Sequence, residues 1–378
     1  MIPFAKISMT DVEKKYINQA LETNKICGDG EFTKKCTGWF KENCGINNFL
    51  LTTSCTHSLE LAALLAGLKQ GDEVLVPSYT FVSTADAILL RGATPVFIDI
   101  DKKTFNMDVN KIEEKITPKT KAIFPVHYAG VACDMDKIME IAKKHNLIVI
   151  EDAAQGTLAY YKGKPLGTIG DYGCYSFHET KNYVMGEGGA IIVKDNDKYL
   201  EAEIIREKGT NRSQFIKGVV DKYTWHEVGS SYLPSDVLAA MLYGQLERAD
   251  EIMEKRMHIW NTYHKSFESL EKQGKLARPY IPDYATHNAH MYYMVLPNEK
   301  IRNELMEKLK ENGILAVFHY IPLHTSPMGI KLGYKQGDLP ETEEYAKRLL
   351  RLPLYPDMTE EELTFICEKV HTILNTLI

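Results

Sequence analysis

Four groups of residues in this sequence have the type and placement to do chemistry, and each follows a short apolar run. Lys181 closes Tyr175-Ser176-Phe177-His178-Glu179-Thr180-Lys181, where such a run passes into a polar loop and then the turn Gly186-Glu187-Gly188-Gly189. A lysine amine becomes a nucleophile when burial or nearby cations favour its neutral form; otherwise it is a solvated surface charge. Asp152 follows Leu147-Ile148-Val149-Ile150-Glu151. A carboxylate there either caps the next turn or points at a ligand, because open α/β sheets bind ligands beyond the carboxyl ends of their strands. Thr52-Thr53-Ser54-Cys55-Thr56-His57-Ser58 leads into a helical pattern, and small hydroxyl residues at a helix start either cap it or offer donors to a phosphate. Pro77-Ser78-Tyr79-Thr80-Phe81 puts aromatics after a further run, as core packing or as a face for a flat ring.

Positioning these groups requires a sheet. Apolar runs at 49–51, 73–76, 95–100, 122–126, 147–150, 175–177 and 190–193 alternate with helical spacing at 58–68, 84–91 and 135–145. That alternation predicts an α/β domain around a mostly parallel sheet. From Ser235 to about Leu270 the chain runs without proline at helical spacing, as one long helix or two in sequence. Beyond it we expect a strand at 291–296, a helix at 300–312, a strand at 316–321, and helices after Pro340 and Thr359, making a small α+β domain. The expected division is 1–245, a large domain with its N-terminal segment, and 246–378, the linking helix and small domain.

Composition narrows the function classes. The 378 residues are 44% hydrophobic and 25% charged, with a net charge of −6, so no general basic field invites nucleic acid. No apolar run reaches membrane-spanning length, and the first residues lack the features of a secretory signal, which points to a cytoplasmic chain. Seven scattered cysteines without paired spacing read as free thiols, with no metal site.

Taken together, the four strand ends offer a phosphate cradle, an aromatic face, a carboxylate for a pyridinium nitrogen and a Schiff-base amine. These are the requirements of pyridoxal 5′-phosphate (PLP). At these residues the sequence resembles the DegT/DnrJ/EryC1/StrS sugar aminotransferases over essentially its whole length. Stretches such as CGDG (27–30), PSYTFVSTA (77–85), PVHYAGVAC (125–133), SFHETKNY (176–183), REKGTNRSQF (206–215) and VFHYIPLH (317–324) look closest to the branch making dTDP-4-amino-4,6-dideoxygalactose for enterobacterial common antigen.

The resemblance implies the aspartate aminotransferase type of fold, PLP as cofactor, L-glutamate and a nucleotide-sugar as substrates, and a homodimer with active sites at its interface. It implies that Lys181 and Asp152 are catalytic, that Gln155 lies near the cofactor's phenolic oxygen, that Phe81 stacks on its ring, and that Cys55, Thr56 and Ser176 hold its phosphate. Arg206, Lys208, Arg212, His319 and Tyr320 become candidates for the nucleotide-sugar. Two positions depart from the family pattern: Cys55 replaces a glycine at the phosphate turn, and Ser231 stands where an asparagine usually reaches the phosphate from the neighbouring subunit.

Overall fold

The computed structural model describes all 378 residues. Its larger part is built on seven strands, β1 (Phe49–Thr52), β2 (Glu73–Pro77), β3 (Thr94–Ile98), β4 (Thr120–Ile123), β5 (Ile148–Asp152), β6 (Tyr172–Ser176) and β7 (Gly189–Val193), in the spatial order β1-β7-β6-β5-β4-β2-β3. Strands β2 to β6 pair in parallel, while β7 runs antiparallel to both its neighbours. Every residue of β1, β6 and β7 is buried, because helices cover both faces and each side chain meets one of two cores. Strand β1 divides residue by residue: Phe49 and Leu51 enter one core and Leu50 the other, as the period of two requires.

Helices α1 (Asp11–Glu22), α2 (Glu31–Cys44), α3 (Cys55–Leu65), α4 (Val82–Leu89), α5 (Met135–His145), α6 (Asn196–Arg206), α7 (Asp236–Glu247) and α8 (Ala249–Ser266) surround this sheet or lead from it. The start of α1 is a capping box, Thr10 with Glu13. The expected helix after Ser235 is two, parted at Arg248, whose φ of −107° and ψ of 17° leave the helical region. Arg248 is held there by Glu13 and Glu251.

The Cys27–Gly30 stretch has a structural explanation. A Cβ on Gly30 would lie 2.3 Å from Asp236 Oδ2, and one on Gly28 would lie 2.4 Å from Pro234 O. Only glycine lets this loop approach closely enough for Asp236 to accept hydrogen bonds from Phe32 N and Thr33 N at the start of α2.

The smaller part carries α9 (Glu299–Glu311), α10 (Pro340–Arg348) and α11 (Glu360–Leu377) around an antiparallel pair, β8 (Tyr292–Val295) and β9 (Leu349–Leu352). The strand expected at 316–321 does not form; β9 takes its place beside β8, and only the Val317–Arg351 bridge remains. Residues 317–320 instead wall a cavity, so their backbone is not free to pair along its length. The N-terminal segment also departs from the expected division. Ile2 N donates to Gly313 O, Leu315 N to Ile2 O and Leu354 N to Phe4 O, fastening residues 2–4 to the small domain. No helix is long and apolar enough to cross a membrane.

Candidate active site

A cavity of about 820 Å³ opens where β5, β6, the starts of α3 and α4, and residues 317–320 and 351–354 converge. Lys181, Asp152, Gln155, Cys55, Thr56, Phe81, Ser176, His319 and Tyr320 all line it. Asp152, at the carboxyl end of β5, is 4% exposed. Its Oδ2 accepts from Thr84 Oγ1 at 2.7 Å and its Oδ1 from Ala154 N at 3.1 Å, so its direction is fixed by α4 and by its own strand-end turn. Thr84 is aligned in turn by Thr80 Oγ1 at 3.0 Å. A buried carboxylate with this few donors keeps the capacity to pair with a cation.

Lys181 sits in a loop closed upon itself, with Lys181 N donating to His178 O, Phe177 N to Gly188 O and Met185 N to Phe177 O. The neighbouring Asn182 bonds Asn288 O and His290 Nδ1, and Asn288 Nδ2 reaches Gln155 O and Thr157 O. The lysine loop, the Gln155 loop and the bridge to the small domain are thus tied together. Gln155 Oε1 accepts from Ala129 N at 2.6 Å while its Nε2 donates to Tyr320 Oη at 3.2 Å.

Ser54 caps α3 by accepting from His57 N, which leaves the first N–H groups of the helix, at Cys55 and Thr56, facing the cavity. Cys55 adopts no positive φ, so the glycine-to-cysteine departure costs the turn nothing. The crowding falls on the other side, since a Cβ on Gly189 would lie 2.4 Å from Cys55 N. Gly189 therefore lets β7 pass directly beneath the helix start.

A family model of DegT/DnrJ/EryC1/StrS aminotransferases matches residues 8–371. The chain belongs to this family. GDP-perosamine synthase of Escherichia coli O157:H7 is 36% identical over 98% of both chains. Spore coat polysaccharide biosynthesis protein SpsC of Bacillus subtilis is 34% identical over 98% of this chain and 97% of its own. Spr1654 of Streptococcus pneumoniae, solved in its PMP form, superimposes with a TM-score of 0.93 at 26% identity over the whole of both chains, and it has also been solved in a PLP form.

The protein is accordingly a PLP-dependent member of a sugar aminotransferase family with the expected α/β architecture. The residues present fit the cofactor. Helix α3 offers N–H groups and Thr56 a hydroxyl where a phosphate would sit, Phe81 exposes 58% of its surface at the cavity where a ring would cover it, and Asp152 and Lys181 share the same space. When bound, PLP supplies an electron sink for the pair released as a substrate C–H bond breaks.

Burial holds the Lys181 ammonium below the ordinary lysine value of 10.5, against the opposing pull of Cys55 and Asp152. The neutral, nucleophilic amine is therefore reached at lower pH than in a solvated lysine. Apoprotein mixed with PLP is expected to develop its visible band at a rate that rises with pH, with a midpoint below 10.5. Stopped-flow absorbance over a pH series checks this, and a midpoint at or above 10.5 contradicts it.

Some expected site residues lie elsewhere. Arg206 is 3% exposed; its Nη2 grips both oxygens of Asp29 at 2.7 and 2.8 Å, and its Nη1 donates to Leu51 O. It fastens α6 to β1 and to the Cys27–Gly30 loop, and it is not free to meet a substrate. Lys208 and Arg212 lie outside the cavity, both beside Glu207 Oε1 at 2.9 and 3.5 Å. Ser231 is exposed on the same arm, bridged to Glu207. His319 does line the cavity, with its Nδ1 3.1 Å from Tyr128 Oη. Residues not anticipated from the sequence include Thr84, Arg256, His290, Phe4 and Arg351, all at the cavity wall. Thr84 was within reach of sequence reasoning, being a hydroxyl one helical turn beyond Thr80; the others carry no spacing signal.

Proposed function

We propose that this aminotransferase moves the amino group of L-glutamate to C4 of a keto-sugar nucleotide, dTDP-4-keto-6-deoxy-D-glucose, giving dTDP-4-amino-4,6-dideoxy-D-galactose. The observation that carries the aminotransferase chemistry is the meeting of Lys181, Asp152, Phe81 and the α3 start in one cavity. The choice of sugar rests on the motif resemblance over 77–85, 125–133, 176–183 and 317–324. In this reading Asp152 would hold a proton at the cofactor's ring nitrogen, and Lys181 Nζ would carry the proton from the donor's α-carbon to the cofactor carbon that had been the aldehyde, so that the amino group stays with the cofactor. Glutamate leaves as its 2-keto acid, and the sequence of proton transfers then runs in reverse on the sugar.

The reading includes a cytoplasmic homodimer. Its support is the arm of residues 207–231, where Phe215, Ile216, Val219, Tyr223, Trp225 and Val228 are exposed, Trp225 by 78%. Apolar side chains gathered on one projecting segment mark an interaction surface. A second copy covering the arm would bring Lys208, Arg212 and Ser231 toward a neighbouring cavity.

A second reading, a GDP-linked 4-keto sugar as acceptor, is favoured by the similarity to GDP-perosamine synthase. Holoenzyme incubated with L-glutamate and a panel of dTDP-, GDP- and UDP-linked 3-keto and 4-keto sugars, with product NMR, decides between them. The expected result is a C4 axial amine on the dTDP sugar. Preferential turnover of the GDP substrate replaces the first reading by the second. Bleaching by glutamate without return of colour on any sugar removes both, and absence of bleaching would mark a binding protein.

A further inference from the structure

Two guanidinium groups reach the cavity, and they are not equivalent. Arg256, on α8, is tied to the backbone on two sides: its Nε donates to Ala289 O at 3.2 Å and its Nη2 to His290 O at 2.7 Å. Arg351, on β9, has a buried Nε with no acceptor, and its hydrogen bond from Nη2 to Phe318 O is stretched to 3.5 Å. One flat face of its guanidinium rests on the Phe4 ring, 4.6 Å from the centroid, which leaves the N–H edges open. No carboxylate pairs with it; the titratable side chains beside it are Tyr128, Tyr320 and Tyr79, all held above the ordinary tyrosine value by burial and so neutral.

The remaining charges around Arg351 deepen the imbalance. Lys181 lies near enough to be disfavoured by it. Burial, with Arg351 and Lys181 contributing, keeps His319 and His290 well below their ordinary value and therefore neutral. Asp152 already accepts from Thr84 and Ala154, and Glu187 lies 3.6 Å from His178. A partly buried cation whose Nε is fully enclosed and has no counter-ion is unfavourable unless an anion arrives with the ligand. The in-plane N–H fork of a guanidinium matches a carboxylate in two parallel bonds.

We propose that Arg351 anchors a carboxylate of the amino donor. The proposal rests on the aminotransferase reading and assigns to this chain the group that recognises an amino acid. Phe4 fixes the guanidinium plane, and Lys181 stands close by, where the donor's amino carbon must be handled.

The two half-reactions separate this role from its rivals. Arg351→Gln and Arg351→Lys are prepared as holoenzymes, and the visible band and thermal unfolding of each establish folding. Glutarate, a dicarboxylate with no amine, is titrated calorimetrically as a binding probe. Glutamate-driven bleaching and the return of colour with keto-sugar nucleotide are followed by stopped flow. Arg351→Gln is expected to weaken glutarate binding, and to raise the glutamate concentration giving half-maximal bleaching, by about 100-fold, the loss expected for truncating one partner of a buried charge pair. The acceptor half should change little. Arg351→Lys should fall between wild type and Arg351→Gln, because it keeps the charge without the fork, and it carries the test if the glutamine variant does not fold. Unaltered glutarate binding overturns the proposal. So does a loss confined to the sugar half, which would give the guanidinium to a pyrophosphate, or an equal loss in both halves, which would make it structural. If the proposed sugar is wrong, wild-type enzyme still bleaches with glutamate but does not recover colour; if this inference is wrong, both wild-type half-reactions proceed.

Discussion

Lys181→Ala is expected to lower turnover by about ten-thousand-fold or more, since in the proposed reaction one side chain serves both as covalent anchor and as proton carrier. The loss should be chemical and not structural. Lys181 is held through its backbone N to His178 O, and the loop is tied down by Asn182 to Asn288 and His290, none of which requires the lysine side chain. The alanine variant should therefore fold and still retain PLP through the α3 start, with its absorbance moved to that of the free aldehyde. Small primary amines added to the solution can occupy the vacated space and are expected to restore part of the rate. Steady-state assay with absorbance spectra checks all three outcomes. Activity within about 100-fold of wild type would show that another group carries the proton.

Asp152→Asn should cost turnover about a thousand-fold, the equivalent of the roughly 4 kcal/mol lost when one side of a buried charge pair is removed. The amide keeps the shape of the carboxylate: its oxygen can still accept from Ala154 N while its NH2 group donates to Thr84 Oγ1, so the substitution isolates the charge. KM for glutamate should change far less than kcat, because in the proposed reaction the charge acts on the electron pair released and not on binding. Asp152→Ala differs in an instructive way. It leaves Thr84 with only Thr80 as a partner, and a buried hydroxyl deprived of its acceptor adds about 1–3 kcal/mol of instability, readable in denaturant unfolding. A cofactor analogue methylated on its ring nitrogen, cationic at every pH, should recover part of the activity of Asp152→Asn. No recovery would mean the carboxylate does something other than hold a proton at that nitrogen.

What could be read from the sequence follows what each signal encodes. The seven strands were legible because both faces of the sheet are covered, which writes each strand as a compact apolar run such as Leu147 to Ile150. The grouping of the candidate residues was legible at the strand ends: Asp152, Lys181, Phe81 and the Ser54–Thr56 turn all line one cavity. The first two helices were not anticipated, although Thr10 and Glu13 carry a capping-box spacing. The segment at 316–321 has the composition of a strand, yet β9 holds the place beside β8, and composition cannot say which of two segments wins a partner. Arg206, Lys208 and Arg212 looked like one basic cluster. Only the contact of Arg206 with Asp29, 177 positions away in sequence, shows that the first of them is spent on the scaffold. Arg351 had no local signal, since its importance lies in what it does not touch.

The first residues of the chain have a consequence for modular engineering. Ile2 is stitched to Gly313 and Leu315, and Phe4 lies under Arg351, so this segment behaves as a detached strip of the C-terminal half. A graft that exchanges the C-terminal halves of two relatives at the α7–α8 junction would transplant Arg351 but leave behind the ring on which it rests. Chimeras of this family should carry the opening residues with the donor's C-terminal half, which makes a working exchange one of two crossovers instead of one.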